Sequence, residues 1–511
     1  MLEERSRVTK KIVIVGGGTA GWLTAGVLAK QHGKAISITL IESSDIPTIG
    51  VGEGTWPSMR TTLQKIGISE TDFITQCSAT FKQASRFVNW ADTSHDYFHP
   101  FTQPLGYGKF DIAPYWQMQE SAQSFCDAVT VQSQLCKLGI APKSIANREY
   151  ETVTNYGYHL DAGKFAQLLK NHCVSNLGVT QVIANIDRVI QHADGAIAAV
   201  ETDKQQRFDA ELFVDCTGFS SLLLGQTLGV PFISKSDVLL NDTALAMQVP
   251  YASEQAPIAC HTISTAQSAG WIWDIGLQHR RGVGYVYSSK HSTEADAEAA
   301  LREYVGKDGD DIAIRKIAFK AGHRSQFWKH NCVAIGLSSG FLEPLEASAL
   351  MLVETSANFL ADQLPLTNDE MAPMARRFNQ VFLAKWQGVI DFLKLHYLLS
   401  KRSEPYWQAS RNEASISDTL NEMMLLWKSR SPSEYDFMQS YEAFTGASYQ
   451  YVLYGGGFNT DFALSAHIHN QQPRAAKQFT QNQQMLQQLS YRLPKHRELI
   501  NQIKAKGFAK I

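Results

Sequence analysis

The chain has 511 residues, 44% hydrophobic and 19% charged, with a formal net charge of −2. That length allows two lobes and more than one core, and the near-neutral balance excludes a basic field for nucleic acid or an anionic membrane surface. The opening Met1–Arg7 has no apolar signal core and no apolar run reaches a bilayer span, so a cytoplasmic protein with small neutral or weakly charged partners is expected.

The first element is the run Lys11-Ile12-Val13-Ile14-Val15, a buried strand, followed by the Gly16-Gly17-Gly18 turn and the helix start Thr19-Ala20-Gly21-Trp22. Gly16 permits the tight turn, Gly18 lets a pyrophosphate approach the backbone, and Gly21 lets helix pack close to strand; the helix N-terminus attracts the negative charge. Ile36–Ile41 alternates as a second strand and ends at Glu42, where an acidic residue meets ribose hydroxyls. The pattern is that of a dinucleotide cradle for FAD or NAD.

Residues 55–175 mix helical periodicity with loops, and Val182–Val189 with Ile197–Thr202 then predict a β-meander. Glu211–Gly218 reads as a buried strand ending in a small-residue turn, and Cys332–Leu337 as a third such piece, before the helix-like Ala347–Glu354. Three distant pieces converging on one ligand imply an interleaved α/β fold. Beyond Pro365 the pattern changes: Phe378, Val381, Phe382, Trp386, Val389, Ile390 and Leu393 recur at helical spacing. The organisation expected is therefore a cofactor lobe over 1–365 and a helical lobe over 366–511, the last forty or so residues forming a Gln- and Lys-rich solvated helix. Seven cysteines without a CxxC pair and fifteen histidines without HExxH predict neither a disulfide framework nor a structural metal.

Six motifs in order now carry a resemblance: Gly16–Trp22, Ile49-Gly50-Val51-Gly52-Glu53-Gly54-Thr55, Phe81-Lys82, Phe87-Val88-Asn89-Trp90, Trp271-Ile272-Trp273-Asp274-Ile275 and Phe341-Leu342-Glu343-Pro344-Leu345-Glu346. With these the chain resembles the flavin-dependent tryptophan halogenases over most of its length. The resemblance implies an FAD-binding monooxygenase-like fold (α/β, or α+β) with a Rossmann-type βαβ core, an interleaved sheet and a helical lobe. It also implies a reaction in which reduced FAD, oxygen and chloride or bromide yield hypohalous acid that halogenates an indole-type ring. Lys82 matches the lysine that positions or captures the oxidant. Physically, a desolvated ammonium donates to the HOX oxygen, or the free amine is itself halogenated. Glu346 matches the glutamate that steadies the cationic ring and takes its proton; composition alone does not choose between it and Glu343.

Backbone amides of Ser348 and Ala349 at a helix start suit a halide. Here the chain has Ala347-Ser348-Ala349 where the family commonly has Ser-Thr-Gly, so a glycine with positive φ would be replaced by strained Ala349, and an altered halide preference, towards bromide, is expected. Trp271 and Trp273 match the pair that walls the passage; spaced i, i+2 they share a strand face, with Gly276 where the family pattern ends in proline. For FAD the resemblance implies contacts at Gly16, Gly17, Gly18, Thr19, Ala20, Gly21, Glu42, Ser43, Ile49, Gly50, Val51 and Gly54, with Ile186, Leu337 and Leu350 as apolar contacts that would serve equally as core. His99 and Phe101 match one wall of the indole sandwich, while Tyr441–Tyr451 supplies no tryptophan for the other, so free tryptophan, indole and a larger tryptophan-bearing molecule all stand as acceptors. With no dedicated NAD(P)H site, a separate flavin reductase is expected. The alternative chemistry is an FAD-dependent monooxygenase hydroxylating an aromatic substrate; a homodimer is only the default for a soluble enzyme.

Overall fold

The computed structural model describes residues 8–45, 52–93, 95–119, 123–309, 311–437 and 442–510. The chain forms two compact, interleaved units: Met1–Ser78, Leu160–Lys235 and Lys320–Trp386 make the first, and Ala79–His159, Ser236–Phe319 and Gln387–Ile511 the second.

The first unit is organised by a six-stranded sheet in the order Trp328–Lys329, Cys332–Ala334, Leu212–Asp215, Lys11–Val15, Ser37–Glu42, Thr180–Ile183. All pairings are parallel except at the Trp328–Lys329 edge. Parallel strands covered on both faces must be apolar throughout, and Ile12–Val15 and Leu212–Val214 are accordingly buried. Register places Val15 beside both Ile41 and Asp215, and Asp215 beside Ala334. The carboxyl ends of four strands are thereby level, which is where open α/β sheets bind ligands. Asp215 closes its strand by accepting the amides of Leu223 (2.9 Å) and Leu224 (2.8 Å) and the Thr217 hydroxyl (2.6 Å), so a buried carboxylate ties the following turn to the sheet.

The expected meander is divided. Val182 and Ile183 end the Thr180–Ile183 strand of the parallel sheet, whereas Ile186–Gln191, Ile197–Thr202 and Arg207–Asp209 form a separate antiparallel sheet. The continuous run of β-branched residues conceals a turn at Ala184-Asn185, where Asn185 is bonded to Asp45 and Asp203 instead of a strand neighbour.

The second unit holds a seven-stranded sheet: Arg315–Ala318, Thr243–Pro250, Arg280–Tyr287, Gly270–Gly276, Thr262–Gln267, Ala84–Val88, Asp96–Pro100. Its pairings are antiparallel except between Thr262–Gln267 and Ala84–Val88. The helix Gly446–Gly455 packs on the Asp96–Pro100 strand. The Gln-rich Gln472–Arg492 helix is not uniformly solvated: Ala475, Phe479 and Asn482 are buried, and Asn482 Nδ2 donates to the carbonyls of Asp127 and Ala128, both at 3.1 Å. No described helix is long and apolar enough to cross a membrane.

Candidate functional site

In the first unit the glycine turn has the geometry its spacing requires. Gly16 has φ +115°, and a Cβ there would lie 2.1 Å from the Cys216 carbonyl oxygen. A Cβ on Gly21 would lie 1.9 Å from the Gly16 carbonyl, so helix and strand meet closer than any side chain allows. Gly18 caps the Thr19–His32 helix in extended backbone, and a Cβ on it would meet nothing within 4 Å. The space before the first helical amides, Thr19 and Ala20, is therefore open to a phosphate. Gly17 lies against Glu42, whose Oε2 would be 1.7 Å from an added Cβ; Glu42 is held by the Trp22 indole N–H (3.3 Å), the Lys170 ammonium (3.0 Å) and Gln181. Gly336, at φ +83°, brings the third segment so close that a Cβ would be 2.7 Å from that of Ala20, placing Leu337 next to the helix start.

These contacts fit a dinucleotide at Gly16, Gly18, Thr19, Ala20 and Gly21. Of the other residues expected at the cofactor, Gly54 is buried on a short strand, the Ser43 hydroxyl accepts the Asp45 amide at 3.0 Å, Ile186 opens the meander sheet, and Leu350 is buried in the Ser348–Asp362 helix. Ile49, Gly50 and Val51 lie outside the described residues.

The Glu343–Glu346 motif ends in an unusual turn. Glu346 (φ 60°, ψ 12°) and Ala347 (φ 55°, ψ 34°) are consecutive non-glycine residues in left-handed backbone. Each costs about 1–2 kcal/mol, a strain that surrounding structure must over-determine and that concentrates at functional sites. The Trp56 indole N–H, donating to the Glu346 carbonyl at 2.8 Å, is one such restraint. The Glu346 side chain is buried, and so is that of Glu343. The turn delivers the chain into the Ser348–Asp362 helix with no side-chain cap, leaving the amides of Ser348 and Ala349 outside the helical ladder. The strain anticipated at Ala349 is absent: Ala349 is an ordinary helical residue, and the left-handed positions are Glu346 and Ala347. Ala349 therefore gives no backbone reason for an altered halide preference. Further along this helix, Glu354 is buried between the hydroxyls of Ser58 (2.9 Å) and Thr62 (2.6 Å), and burial pushes its carboxyl up to about 7. Burial also pushes Glu53 up to about 7.

In the second unit, Lys82 ends the strand Thr80–Lys82, which pairs with Gly157–His159. Its side chain is 1% exposed. The Thr80 hydroxyl is bonded to the Gly276 carbonyl (2.6 Å) and the Phe81 amide to His496 Nε2 (3.0 Å), so the strand cannot swing the lysine to solvent. The ammonium stands 5.3 Å from the centre of the Phe101 ring, a cation–π contact that offsets part of its desolvation. Its charge is felt nearby: His159 is held well below the usual histidine range, first by burial and then by Lys82.

His99, on the same wall segment as Phe101, faces an aromatic group. Its ring centre lies 5.6 Å from Phe392 and 6.3 Å from both Phe444 and Tyr451, and Phe392 and Phe444 are stacked at 3.6 Å. The segment without a tryptophan therefore contributes Phe444 instead. Phe392 was not legible as a site residue, because it sits among Val389, Ile390 and Leu393 at spacing that signals only a helix core.

Trp271 and Trp273 lie on the Gly270–Gly276 strand, buried, with ring centres 6.5 Å apart. Gly284 on the neighbouring strand makes room: a Cβ there would lie 2.1 Å from the Trp273 ring. The Trp271 indole N–H is buried and has no hydrogen-bond partner among the described residues. At the strand's end Gly276 does not merely replace a proline, since it carries the carbonyl that anchors the Lys82 strand.

The arrangement matches known proteins along almost its whole length. The family model for tryptophan halogenase matches residues 11–469. Tryptophan 6-halogenase SttH of Streptomyces toxytricini is 36% identical over 88% of this chain and 90% of that protein. Tryptophan 7-halogenase RebH of Lentzea aerocolonigenes is 33% identical over 82% of each. Among solved structures, the tryptophan halogenase of Shewanella frigidimarina superposes with a TM-score of 0.95 at 47% identity, covering 99% of both chains. A structure described as a flavin-dependent halogenase from Brevundimonas gives 0.87 at 32% identity, covering 97% of this chain and 99% of that one. With a family model over residues 11–469 and relatives above 30% identity along most of its length, the chain belongs to the flavin-dependent tryptophan halogenase family.

Proposed function

We propose that this halogenase uses reduced FAD, oxygen and a chloride or bromide ion to halogenate an indole-type ring, with Lys82 and Glu346 as its catalytic residues. The observation that carries the reading is the buried Lys82 ammonium over Phe101, two residues from the His99 ring that faces Phe392 and Phe444. An ammonium kept from water beside flat aromatic faces serves an oxidant and an aromatic acceptor; an ordinary surface lysine does neither.

Gly16, Gly18, Thr19, Ala20 and Gly21, together with Glu42, would hold the cofactor, which would supply the electrons by which oxygen converts halide to hypohalous acid. The amides of Ser348 and Ala349, backed by the helix dipole, take the halide. Lys82 donates an N–H to the oxygen of hypohalous acid, drawing electron density from the halogen, or as the free amine accepts the halogen itself. Trp271 and Trp273 wall an apolar interior that withholds water from the oxidant. The Glu346 carboxylate, fixed by its left-handed backbone, stabilises the positive charge of the attacked ring and removes the proton.

The relatives SttH and RebH are named for positions 6 and 7 of tryptophan. In this chain Phe392 and Phe444 take the place of a tryptophan wall, which favours indole or an indole derivative over the free amino acid. Reduced flavin comes from a separate NAD(P)H-dependent reductase. The test is mass spectrometry of products made with FAD, a flavin reductase, NADH, oxygen and mixed chloride and bromide, with indole and tryptophan competing. A halogen isotope pattern, mainly on indole and lost in Lys82→Ala, is expected. A product gaining only oxygen would make the protein a hydroxylase. Reduction of FAD by NADH with the purified protein alone would remove the separate reductase.

A further inference from the structure

We propose that Cys136, Cys260 and His261 form a binding site for a soft, thiolate-preferring cation, zinc or copper(I), in the interior of the second unit. One ligand atom of each lies within 4.8 Å of the others. In a tetrahedral zinc site with Zn–S near 2.3 Å, ligand atoms stand about 3.8 Å apart, so side-chain rotation closes the difference. All three residues are buried, Cys260 completely. Two thiols and an imidazole are the donor set for which zinc and copper(I) compete best, and hard cations worst.

A second observation points to a ligand. Neither ring nitrogen of His261 makes a hydrogen bond of ordinary geometry among the described residues, although both are buried and the Cys260 thiol lies beside the ring. Leaving such groups unpaired is costly, and native interiors avoid it. Nearby His496 does not share the defect, using Nε2 for the Phe81 amide and Nδ1 for the Ile258 carbonyl, and His159 shares it at Nδ1 only, using Nε2 for the Thr262 hydroxyl. His261 is the imidazole with a ring nitrogen within 4.8 Å of both cysteine sulfurs. The sulfurs are weakly engaged, each about 4 Å from the other residue's carbonyl (Cys136 Sγ at 4.0 Å, Cys260 Sγ at 3.9 Å).

The three ligands are held by rigid structure. Cys136 is in the helix Gln132–Lys137, the Cys260 carbonyl accepts the Gln83 amide at 2.7 Å, and His261 immediately precedes the Thr262–Gln267 strand. A cavity of about 710 Å³ is lined by Leu138 and Ile258, each two residues along the chain from one of the cysteines. Binding displaces thiol protons to solvent without any redox step, and it is independent of the halogenation chemistry.

The test uses the reduced full-length protein without oxygen. It is titrated with Zn²⁺ against a chromophoric chelator, with Co²⁺ as the spectroscopic probe of the same site, and separately with Cu⁺ against a copper(I) chelator. One equivalent of one ion should be retained against its chelator, the Zn²⁺ and Cu⁺ arms deciding which, and X-ray absorption should show two sulfur neighbours and one nitrogen. Cys136→Ser, Cys260→Ser and His261→Gln should each weaken binding at least tenfold while keeping the circular-dichroism spectrum. Retention of neither ion at one equivalent, or a first shell without two sulfurs, would overturn the proposal without recourse to any variant. So would unchanged affinity in Cys260→Ser.

Discussion

The two units carry their candidate site residues by different means. The first does so mainly with backbone: three glycines that admit, turn and pack, a helix start with free amides, and two left-handed residues that aim a glutamate. The second does so with side chains whose burial is costly: an ammonium, an unpartnered indole N–H and neutral histidines among aromatic rings. A backbone site constrains which residues are sterically allowed, whereas a side-chain site constrains which functional groups are present. Substitutions should therefore fail differently in the two, by steric exclusion in the first and by loss of chemistry in the second.

The largest expected effect lies in the second unit. Lys82→Ala should lower the halogenation rate by about 10²–10⁴-fold, the range for removing a group that positions a proton or oxidant, while FAD still binds with unchanged affinity. Product formation under single-turnover conditions together with a flavin-binding titration separates the two quantities. Loss of both together would mean that Lys82 supports the fold. Glu346→Gln should reduce the rate over the same range and likewise spare flavin affinity.

Within the first unit a pair of glycines sharpens the comparison. Gly18→Ala places its Cβ in open space and at an allowed φ, so the protein should fold normally, yet the methyl intrudes where the pyrophosphate belongs. A loss of at least about tenfold in FAD affinity, equivalent to about 1.4 kcal/mol, is expected at unchanged melting temperature. Gly21→Ala puts a Cβ 1.9 Å from the Gly16 carbonyl and must push helix from strand. It should lower stability by about 1–3 kcal/mol, visible in thermal unfolding without FAD. Equal behaviour of the two variants would show that the glycines do not have separate roles.

Sequence was informative where chemistry is local. The roles of Gly16, Gly18 and Gly21 are set within six residues, and the alternation ending at Glu42 within seven, so pattern alone places them. It was uninformative where contacts are remote. Phe392 meets His99 across almost three hundred residues and Phe444 across about fifty, and its own neighbourhood reads as helix core. Cys136, Cys260 and His261 show no metal-ligand spacing because 124 residues separate the two cysteines. The strain misplaced at Ala349 has a related cause: a difference in residue type marks the altered position, but only φ shows which residue carries the left-handed turn.

A smaller effect concerns pH. Burial raises Glu354, and separately Glu53, to about 7, above the ordinary carboxylate value near 4.5. Such a group stays neutral in the fold while it ionises in the unfolded chain, so its stabilising contribution is complete below pH 4.5 and is lost as pH rises towards 7. A shift of that size corresponds to at most about 3 kcal/mol per group. Glu354→Gln, which remains neutral, should flatten the decline in melting temperature between pH 5 and pH 7.5 and be the more stable protein at the upper end. An unchanged slope would show that Glu354 is ionised in the fold.

The smallest expected effect tests whether strain at the glutamate turn is functional. Ala347 has φ 55° and ψ 34° with no side-chain cap on the helix that follows. Glycine adopts that backbone without a Cβ clash, so Ala347→Gly should relieve about 1 kcal/mol, less what glycine costs through the flexibility it adds to the unfolded chain. The net change in melting temperature is therefore small and positive. If the strained pair exists to hold Glu346, a looser Ala347 should reduce the halogenation rate even as the protein becomes more stable. If both rate and stability rise, the left-handed turn is a by-product of packing, and the position of Glu346 is fixed by its buried surroundings and the Trp56 hydrogen bond instead.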